Sequence, residues 1–573
     1  ELGKQYLVNV RDTIRLGAAT QADFTCGSHA FSVDTTAAVV IIITALLLVV
    51  VTITTVMEYW MPNMFQGLGR FGTAFSARRN LNRLFNTRRR NKEFRCLDGL
   101  RAMSMGWVIL GHELAFEASI GYINPFAILP PTGALKGWLA QILFSSRYAV
   151  DTFFFISGFL VFHSVMQRLT KGTEITARWV LGYAAHRWIR LTPTYMFCIL
   201  LWWKIAPLLG SGPMWFHWRG YAELCDNFWW TNILYINNLV PFGYGENGTC
   251  FFHGWYLAND MQFYLLTPLF IVAYRRSVKW TVALCTFIIT VSTTSAFLVA
   301  KSEHWSAADL DGAAVGAYDR EGYIMPYFRI PAYLIGTLLA ITWLSIHPPG
   351  SQRTHAIGQA DPNAVVPGMR KTAVVGGAKV DLDPFMASML ETIALLLLLL
   401  CVFGGVDADQ ARPCSYMMWP QGPVLCGSGP EWDTTERATY ASLTKPAWCV
   451  GLGLLCWVAF QDKAGIVGWF LNHDAWVVPA RLSFGMYLLH PIIINVWFQK
   501  QTQFFRWSAV DFMLRFFGVF MGTFVAAVAV NLAIESPFSL LTRGLLMPSH
   551  SSSRKNGKGR RVTDDRKSND GDN

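Results

Sequence analysis

The stretch DGLRAMSMGWVILGHE (98–113) sets Asp98, Arg101, His112 and Glu113 in an apolar background. A neutral imidazole can take a proton from a hydroxyl, and a guanidinium can hold a phosphate or a developing negative charge. At about 100° per residue, Asp98, Arg101 and His112 share one helical face, with Asp98 able to orient Arg101, while Glu113 is turned about 100° from His112. An Asp or Arg at membrane depth costs at least ~2.5–3.5 kcal/mol on insertion scales, so this face is expected to line a polar interior. His112 reads either as a general base or as a polar group bonded to a neighbouring helix.

Further polar groups recur along the chain. SSRYAVDTFFFISGFL (145–160) spaces Arg147 and Asp151 for an ion pair along one helix and puts Ser157 beside Gly158, where a helix or a ligand can approach closely. HRWIRLTP (186–193) carries Arg187 and Arg190, read either as interfacial anchors or as guanidinium forks for phosphate. HGWYLANDMQFYLLTPLF (253–270) adds His253, Asn259, Asp260 and Gln262. Arg329 in PYFRIPAYLIG, Tyr487 and His490 in SFGMYLLHP, and Glu535 in IESP complete a set that predicts one central polar cavity with no metal site.

The elements that must position these groups are membrane spans. The 573 residues are 53% hydrophobic and 15% charged, too apolar for an ordinary soluble protein of this length. Residues 37–57 are uncharged and long enough to cross a hydrocarbon core of about 30 Å. Apolar runs near 97–117, 138–166, 181–208, 253–273, 280–300, 327–346, 386–404, 446–461, 481–498 and 511–533 extend the count to about eleven, predicting an all-α multi-pass membrane protein.

The net charge of +11 concentrates in 70–95 and in the tail from Arg543. With a luminal or extracellular N-terminus these segments are cytosolic, as the positive-inside rule requires, so the expected partner is membrane lipid and not nucleic acid. Cys225 and Cys250 then share one luminal loop and Cys414 and Cys426 another, as candidates for disulfides whose pairing stays open, and Asn247 heads a glycosylation sequon. Residues 1–36, with Cys26, are expected to be the end of a luminal domain beginning upstream. The expected order continues with the first span at 37–57, a basic cytosolic linker at 58–95, the membrane domain at 96–540 and a disordered tail at 541–573. Within the membrane domain, 347–385 is expected to be a flexible connector. The setting is the endoplasmic reticulum and secretory pathway or the plasma membrane.

The pieces LDGLRAMSMGWVILGHE, RYAVDTFFFISGFL, HRWIRLTPTY, WYLANDMQFYLLTP, FRIPAYLIG and SFGMYLLHP, in this order over roughly 96–540, resemble the acyltransferase 3 superfamily, most closely its animal "nose resistant to fluoxetine" branch. The resemblance implies one N-terminal span plus a ten-helix bundle that transfers an acyl group from cytosolic acyl-CoA to a hydroxyl acceptor. Acyl-CoA would be a co-substrate, with no permanently bound cofactor. Arg101 and His112 match the family's essential arginine and histidine, and Arg187 and Arg190 match the arginines at its cytosolic mouth; Arg147 joins them as a donor-binding candidate. Bacterial members act mostly on carbohydrate, and the acceptor of the animal branch stays open. A transporter using the same cavity, or a scaffold with a degenerate site, are the competing readings; an enzyme needs the arginine mouth and His112 together, and a transporter needs neither. The topology predicts a glycan on Asn247 and none on a sequon engineered into 78–92, checked by glycosidase-sensitive gel shifts.

Overall fold

Backbone amides in hydrocarbon have no water to bond, so a spanning chain must satisfy them inside helices. The computed structural model describes residues 33–88, 93–124, 127–128, 133–134, 138–169, 174–211, 214–215, 217–241, 248–303, 322–348, 382–405 and 432–546. Cys26, Asn247, Cys414, Cys426, the greater part of the 347–385 connector and the tail from 547 lie outside them. Among the described residues there is no β-strand, only an isolated bridge between Tyr122 and Phe505.

Twelve long helices carry the architecture: α1 (Thr35–Trp60), α2 (Cys96–Ile120), α3 (Tyr148–Arg168), α4 (Ala177–Leu200), α5 (His217–Ile233), α6 (Trp255–Arg276), α7 (Val278–Ser302), α8 (Pro326–Ile346), α9 (Pro384–Phe403), α10 (Thr434–Phe460), α11 (Val477–Phe498) and α12 (Ala509–Val530). Nine of the described helices, counted with their short extensions, are long and apolar enough to cross a membrane; α2, α5 and α6 are not among them. α2 and α6 have the length to span, about 37 and 33 Å at 1.5 Å per residue, and their polar side chains are what lowers their hydropathy. The sequence-based count of about eleven includes both. α5 falls in a segment read from sequence as a loop. Its residues, HWRGYAELCDNFWWTNI, lack an apolar run, and a disulfide from Cys225 to Cys250 ties it to the segment entering α6.

The basic linker has structure of its own. Three short helices, Pro62–Gly67, Gly69–Phe75 and Ala77–Phe85, turn back against the end of α1. Ser76 and Arg79 both bond Glu58, and the Ala77 amide donates to Thr55 Oγ1 at 2.9 Å. Arg481 on α11 donates to the carbonyls of Arg83, Leu84 and Asn86 at 2.7–2.8 Å, fixing this collar to the bundle.

The most extensive interface joins α3 and α8. A Cβ on Gly158 would lie 2.0 Å from the Tyr333 carbonyl oxygen, and one on Gly336 would lie 2.0 Å from that of Phe155. Gly158, read from sequence as admitting either a helix or a ligand, admits a helix. Asp151 pairs across the same interface with Arg329, whose Nη1 lies 2.9 and 3.0 Å from the two carboxylate oxygens. The spacing-based pairing of Asp151 with Arg147 does not form: Arg147 instead lies over the Tyr148 ring. Gly158→Ala or Gly336→Ala should each lower stability by about 1–3 kcal/mol through overpacking, whereas Gly67→Ala, where a Cβ meets nothing within 4 Å, should not. Thermal unfolding of the detergent-solubilised variants checks this.

Candidate active site

α2, α3, α4, α6 and α11 surround a cavity of about 860 Å³. Its lining comes from the first turns of α2 and α11, the last turns of α3 and the first half of α4, so it opens at the end of the bundle where the basic collar packs. Five arginines line it (Arg101, Arg168, Arg187, Arg190 and Arg481) against three acids (Asp98, Asp260 and Glu535). Positive charge therefore exceeds negative around this chamber, with Arg168, Arg190 and Arg481 exposed at its mouth, which favours an anionic ligand.

Asp260 organises one wall. It pairs with Arg187 and accepts a hydrogen bond from Ser157 Oγ at 2.5 Å. The Arg187 guanidinium also lies 4.3 Å over the Tyr264 ring, and Tyr264 stacks on Tyr183 at 3.9 Å. Their hydroxyls donate reciprocally to each other's backbone carbonyls at 3.2 Å. Arg187 is thus held in place before any ligand arrives. Glu535 sits in a π-helical turn, accepts from Asn531 Nδ2 at 2.9 Å and attracts Arg190. Arg101 differs. Among the described residues no hydrogen bond or ion pair engages its guanidinium; it feels the charge of Asp260, and Asp98, on the same lining, is not bonded to it. The expectation that Asp98 clamps Arg101 is therefore not met by a contact.

Deeper in the bundle, on the α2–α11 interface, His112 Nδ1 lies 2.7 Å from His490 Nε2, with the rings nearly coplanar and end to end. Tyr487, on the cavity lining, has its ring 5.8 Å from that of His490 and 5.2 Å from that of Tyr256. His253 packs beside this group, its ring 5.9 Å from His490, and its carbonyl accepts from the Tyr487 hydroxyl. Glu113 is fully buried and makes no hydrogen bond among the described residues, while Glu117, one turn on, pairs with Arg515 and accepts from Tyr122.

Other polar residues expected in the cavity hold the fold instead. Asp151 and Arg329 form the sealed pair described above. Asn259 bonds Asn238 and the Ile324 carbonyl, and Gln262 bonds Asn238 and the Tyr235 carbonyl, so both brace the loop before α6. Arg147 lies at the far end of α3 from Arg168 and is absent from the lining. Arg168, Tyr183, Tyr264 and Arg481 were not singled out from sequence. Arg168 and Arg481 stand at span ends with nothing in their local sequence to set them apart, and only the tertiary arrangement brings them to the cavity mouth.

These features define an all-α, multi-pass membrane protein with an arginine-lined internal chamber. A family model described as an acyltransferase domain matches residues 94–532, and the chain belongs to this acyltransferase 3 family. It is similar to nose resistant to fluoxetine protein 6 of Caenorhabditis elegans, at 25% identity over 495 residues, covering 82% of this chain and 53% of that protein. It is also similar to regulator of hypoxia-inducible factor 1 of the same organism, at 23% identity over 302 residues, covering 48% of this chain and 55% of the relative. The chain thus spans about half the length of these curated relatives. No solved structure matches it. The family match supports an acyltransferase-type function.

Arg187→Ala strands the Asp260 carboxylate, and breaking a buried pair in this way costs up to about 3–5 kcal/mol, less where a cavity admits water. Arg187→Ala should therefore lower the thermal midpoint and Arg187→Ala/Asp260→Asn should recover most of it, as read by thermal unfolding of the purified chain.

Proposed function

We propose that this chain transfers an acyl group from acyl-CoA, entering at the basic end of the bundle, to a hydroxyl acceptor: a lipid, a sugar or a small molecule. The observation that carries the reading is the arginine-lined cavity at the first turns of α2, with His112, paired to His490 of α11, farther along that helix. Its volume lies within the range of about 300–1,000 Å³ usual for small-molecule sites.

Arg101 and His112 divide the work. Eleven residues separate them, a rise of about 16 Å along the helix, so Arg101 is too far away to stabilise charge at an acyl carbon beside His112. Its unengaged guanidinium suits the anionic part of the donor, with Arg190 and the pre-set Arg187 as further phosphate contacts. The donor's thioester arm then extends inward past Tyr256 and Tyr487. His112 takes the acceptor's hydroxyl proton as the oxygen attacks the thioester carbon. The C–O bond forms, the C–S bond breaks, and the proton passes from His112 to the departing thiolate. Atoms and charge balance with no further reactant.

The same reading places the N-terminus in the lumen or outside the cell, with the donor cavity facing the cytosol, because the basic collar flanks the cavity mouth. The acceptor is then expected from the opposite side or from the bilayer.

The test is CoA release from acetyl-CoA and from longer acyl-CoAs by the full chain in lipid, with thermal-shift titration of the donor. His112→Ala should lower turnover by about 10²–10⁴ with donor binding nearly unchanged. Arg101→Ala should weaken donor binding at least about tenfold, the size of one charge-assisted contact of roughly 1.5–3 kcal/mol. A His112→Ala variant with wild-type turnover would return His112 to a structural role.

A further inference from the structure

His490 and its hydrogen bonds decide which nitrogen of His112 is available for chemistry. His490 Nδ1 lies 3.0 Å from the carbonyl oxygen of Met486, one turn back on α11. A carbonyl only accepts, so Nδ1 of His490 carries a proton. A neutral imidazole has one N–H, which leaves Nε2 of His490 bare and able to accept. The 2.7 Å contact with His112 Nδ1 needs one proton between the two nitrogens. His112 Nδ1 therefore carries it, and His112 Nε2 is left with a free lone pair. A cationic His490 would break this chain, but His490 is 0% exposed and no carboxylate bonds it among the described residues. Such a charge would be buried without compensation.

The local sequence explains why the ring can reach back along its own helix. Pro491 follows His490 directly and lies inside α11. It has no N–H for the Tyr487 carbonyl and its ring crowds that turn, loosening the helix where the imidazole engages Met486. The titratable groups around the pair come from three elements: Glu113 on α2, His253 before α6, and Tyr487 on α11 itself. His253 is a second imidazole and not an anion, and the Tyr487 hydroxyl is committed to the His253 carbonyl. Of the hydrogen bonds among the described residues, only the one to His490 fixes the His112 ring.

We propose that His490 is a positioning residue which, through the relay Met486 carbonyl–His490–His112, locks His112 in its Nδ1–H tautomer and presents Nε2 as the proton acceptor. The inference rests on the acyl-transfer reading for its consequence, but the tautomer itself exists or not whatever reaction the chain performs. The neutral histidine side chain in water favours the other, Nε2–H tautomer, so both rings of the pair should be spectroscopically distinct from ordinary histidines. The relay also separates orientation from donor binding, because His490 is not on the cavity lining whereas Tyr487, three residues earlier, is.

Two measurements on the full chain in lipid test it. With ¹⁵N-labelled histidine, solid-state NMR should show Nδ1–H tautomer signals that disappear in His112→Ala, used for assignment, and the His112 signal should change to Nε2–H or a mixture in His490→Phe. A wild-type His112 found as the Nε2–H tautomer or doubly protonated would overturn the relay without any appeal to activity. In the second, CoA release from acetyl-CoA and palmitoyl-CoA is followed across pH. His490→Phe should lower kcat by about ten- to a hundredfold, as loss of an orienting partner typically does, and displace the acid limb, while leaving the KM for the donor within about twofold. His490→Gln should restore most of the rate, because its amide can accept from His112 and donate to Met486. If His490→Phe does not fold, His490→Gln beside the wild-type spectrum still decides, since a Gln variant as slow as His112→Ala would count against the relay. Loss of turnover in His112→Ala together with wild-type kcat and pH profile in His490→Phe would sink this inference alone. Unaltered turnover in His112→Ala would sink the general-base reading and leave the tautomer to the spectra.

Discussion

Hydrocarbon offers no hydrogen bonds, so each ionisable group that this bundle carries into the membrane must find its partner within the protein. The pair between Asp151 and Arg329 shows what that demand achieves. Both side chains are essentially inaccessible, and Arg329 is further tied to the Tyr323 carbonyl and to the faces of Tyr323 and Trp255. The two residues are 178 apart in sequence, and the same offset relates Gly158 to Gly336. The ion pair and the glycine contacts therefore specify one register for two parallel helices. Slip by a residue would strand two charges in lipid and drive a Cβ into a carbonyl. With α3 and α8 fixed, the cavity wall that α3 contributes, from Phe153 to Arg168, is fixed as well.

The same demand sorts the remaining polar groups into those already satisfied and those held ready. Glu117 with Arg515 and Asn259 with Asn238 are closed sets within the fold, whereas Arg187, paired with Asp260, keeps its Nε without a partner among the described residues. Arg101 stands apart because its guanidinium faces a chamber with its donors unengaged among the described residues. Leaving an arginine in that condition costs stability, and such a cost persists where a ligand supplies the missing acceptor. His112 stands apart for another reason: among the described residues its one hydrogen bond engages Nδ1 and leaves Nε2 without a partner.

Much of this was legible in the sequence because hydrophobic length and helical phase are local properties. The predicted span 37–57 corresponds to Thr35–Trp60, and 327–346 to Pro326–Ile346. The common face of Arg101 and His112 follows from counting residues. Partners were not legible where they are set by contacts far along the chain. Arg147 and Asp151 are correctly spaced for each other, yet a carboxylate facing α8 meets Arg329 instead, and helical spacing cannot reveal a competitor on another helix. The divergence at 446–461 has a similar origin. The helix begins at Thr434, because Asp433 and Glu436 form a reciprocal cap, and this polar first stretch lies ahead of the apolar window that reveals the span. Arg168 and Arg481 show the limit for the site itself, since at a span end an arginine that snorkels and one that lines a chamber have the same sequence signature.

α2 can be read as a ruler between two chemistries that must not mix. Its first turns belong to the arginine-lined mouth, where the proposed function would use positive potential to gather an anionic donor. Its second half belongs to His112, Phe116 and the aromatic and histidine side chains around them, where a neutral base is wanted. A guanidinium beside His112 would lower that ring's affinity for a proton. Roughly three turns of helix, each about 5.4 Å, keep them apart, and Tyr487, on the chamber lining, packs against both Tyr256 and His490. Under the proposed function, a donor long enough to touch both ends would make use of this spacing. The rigidity of a single helix then sets the distance from the anchoring charge to the reacting bond, where a loop could not.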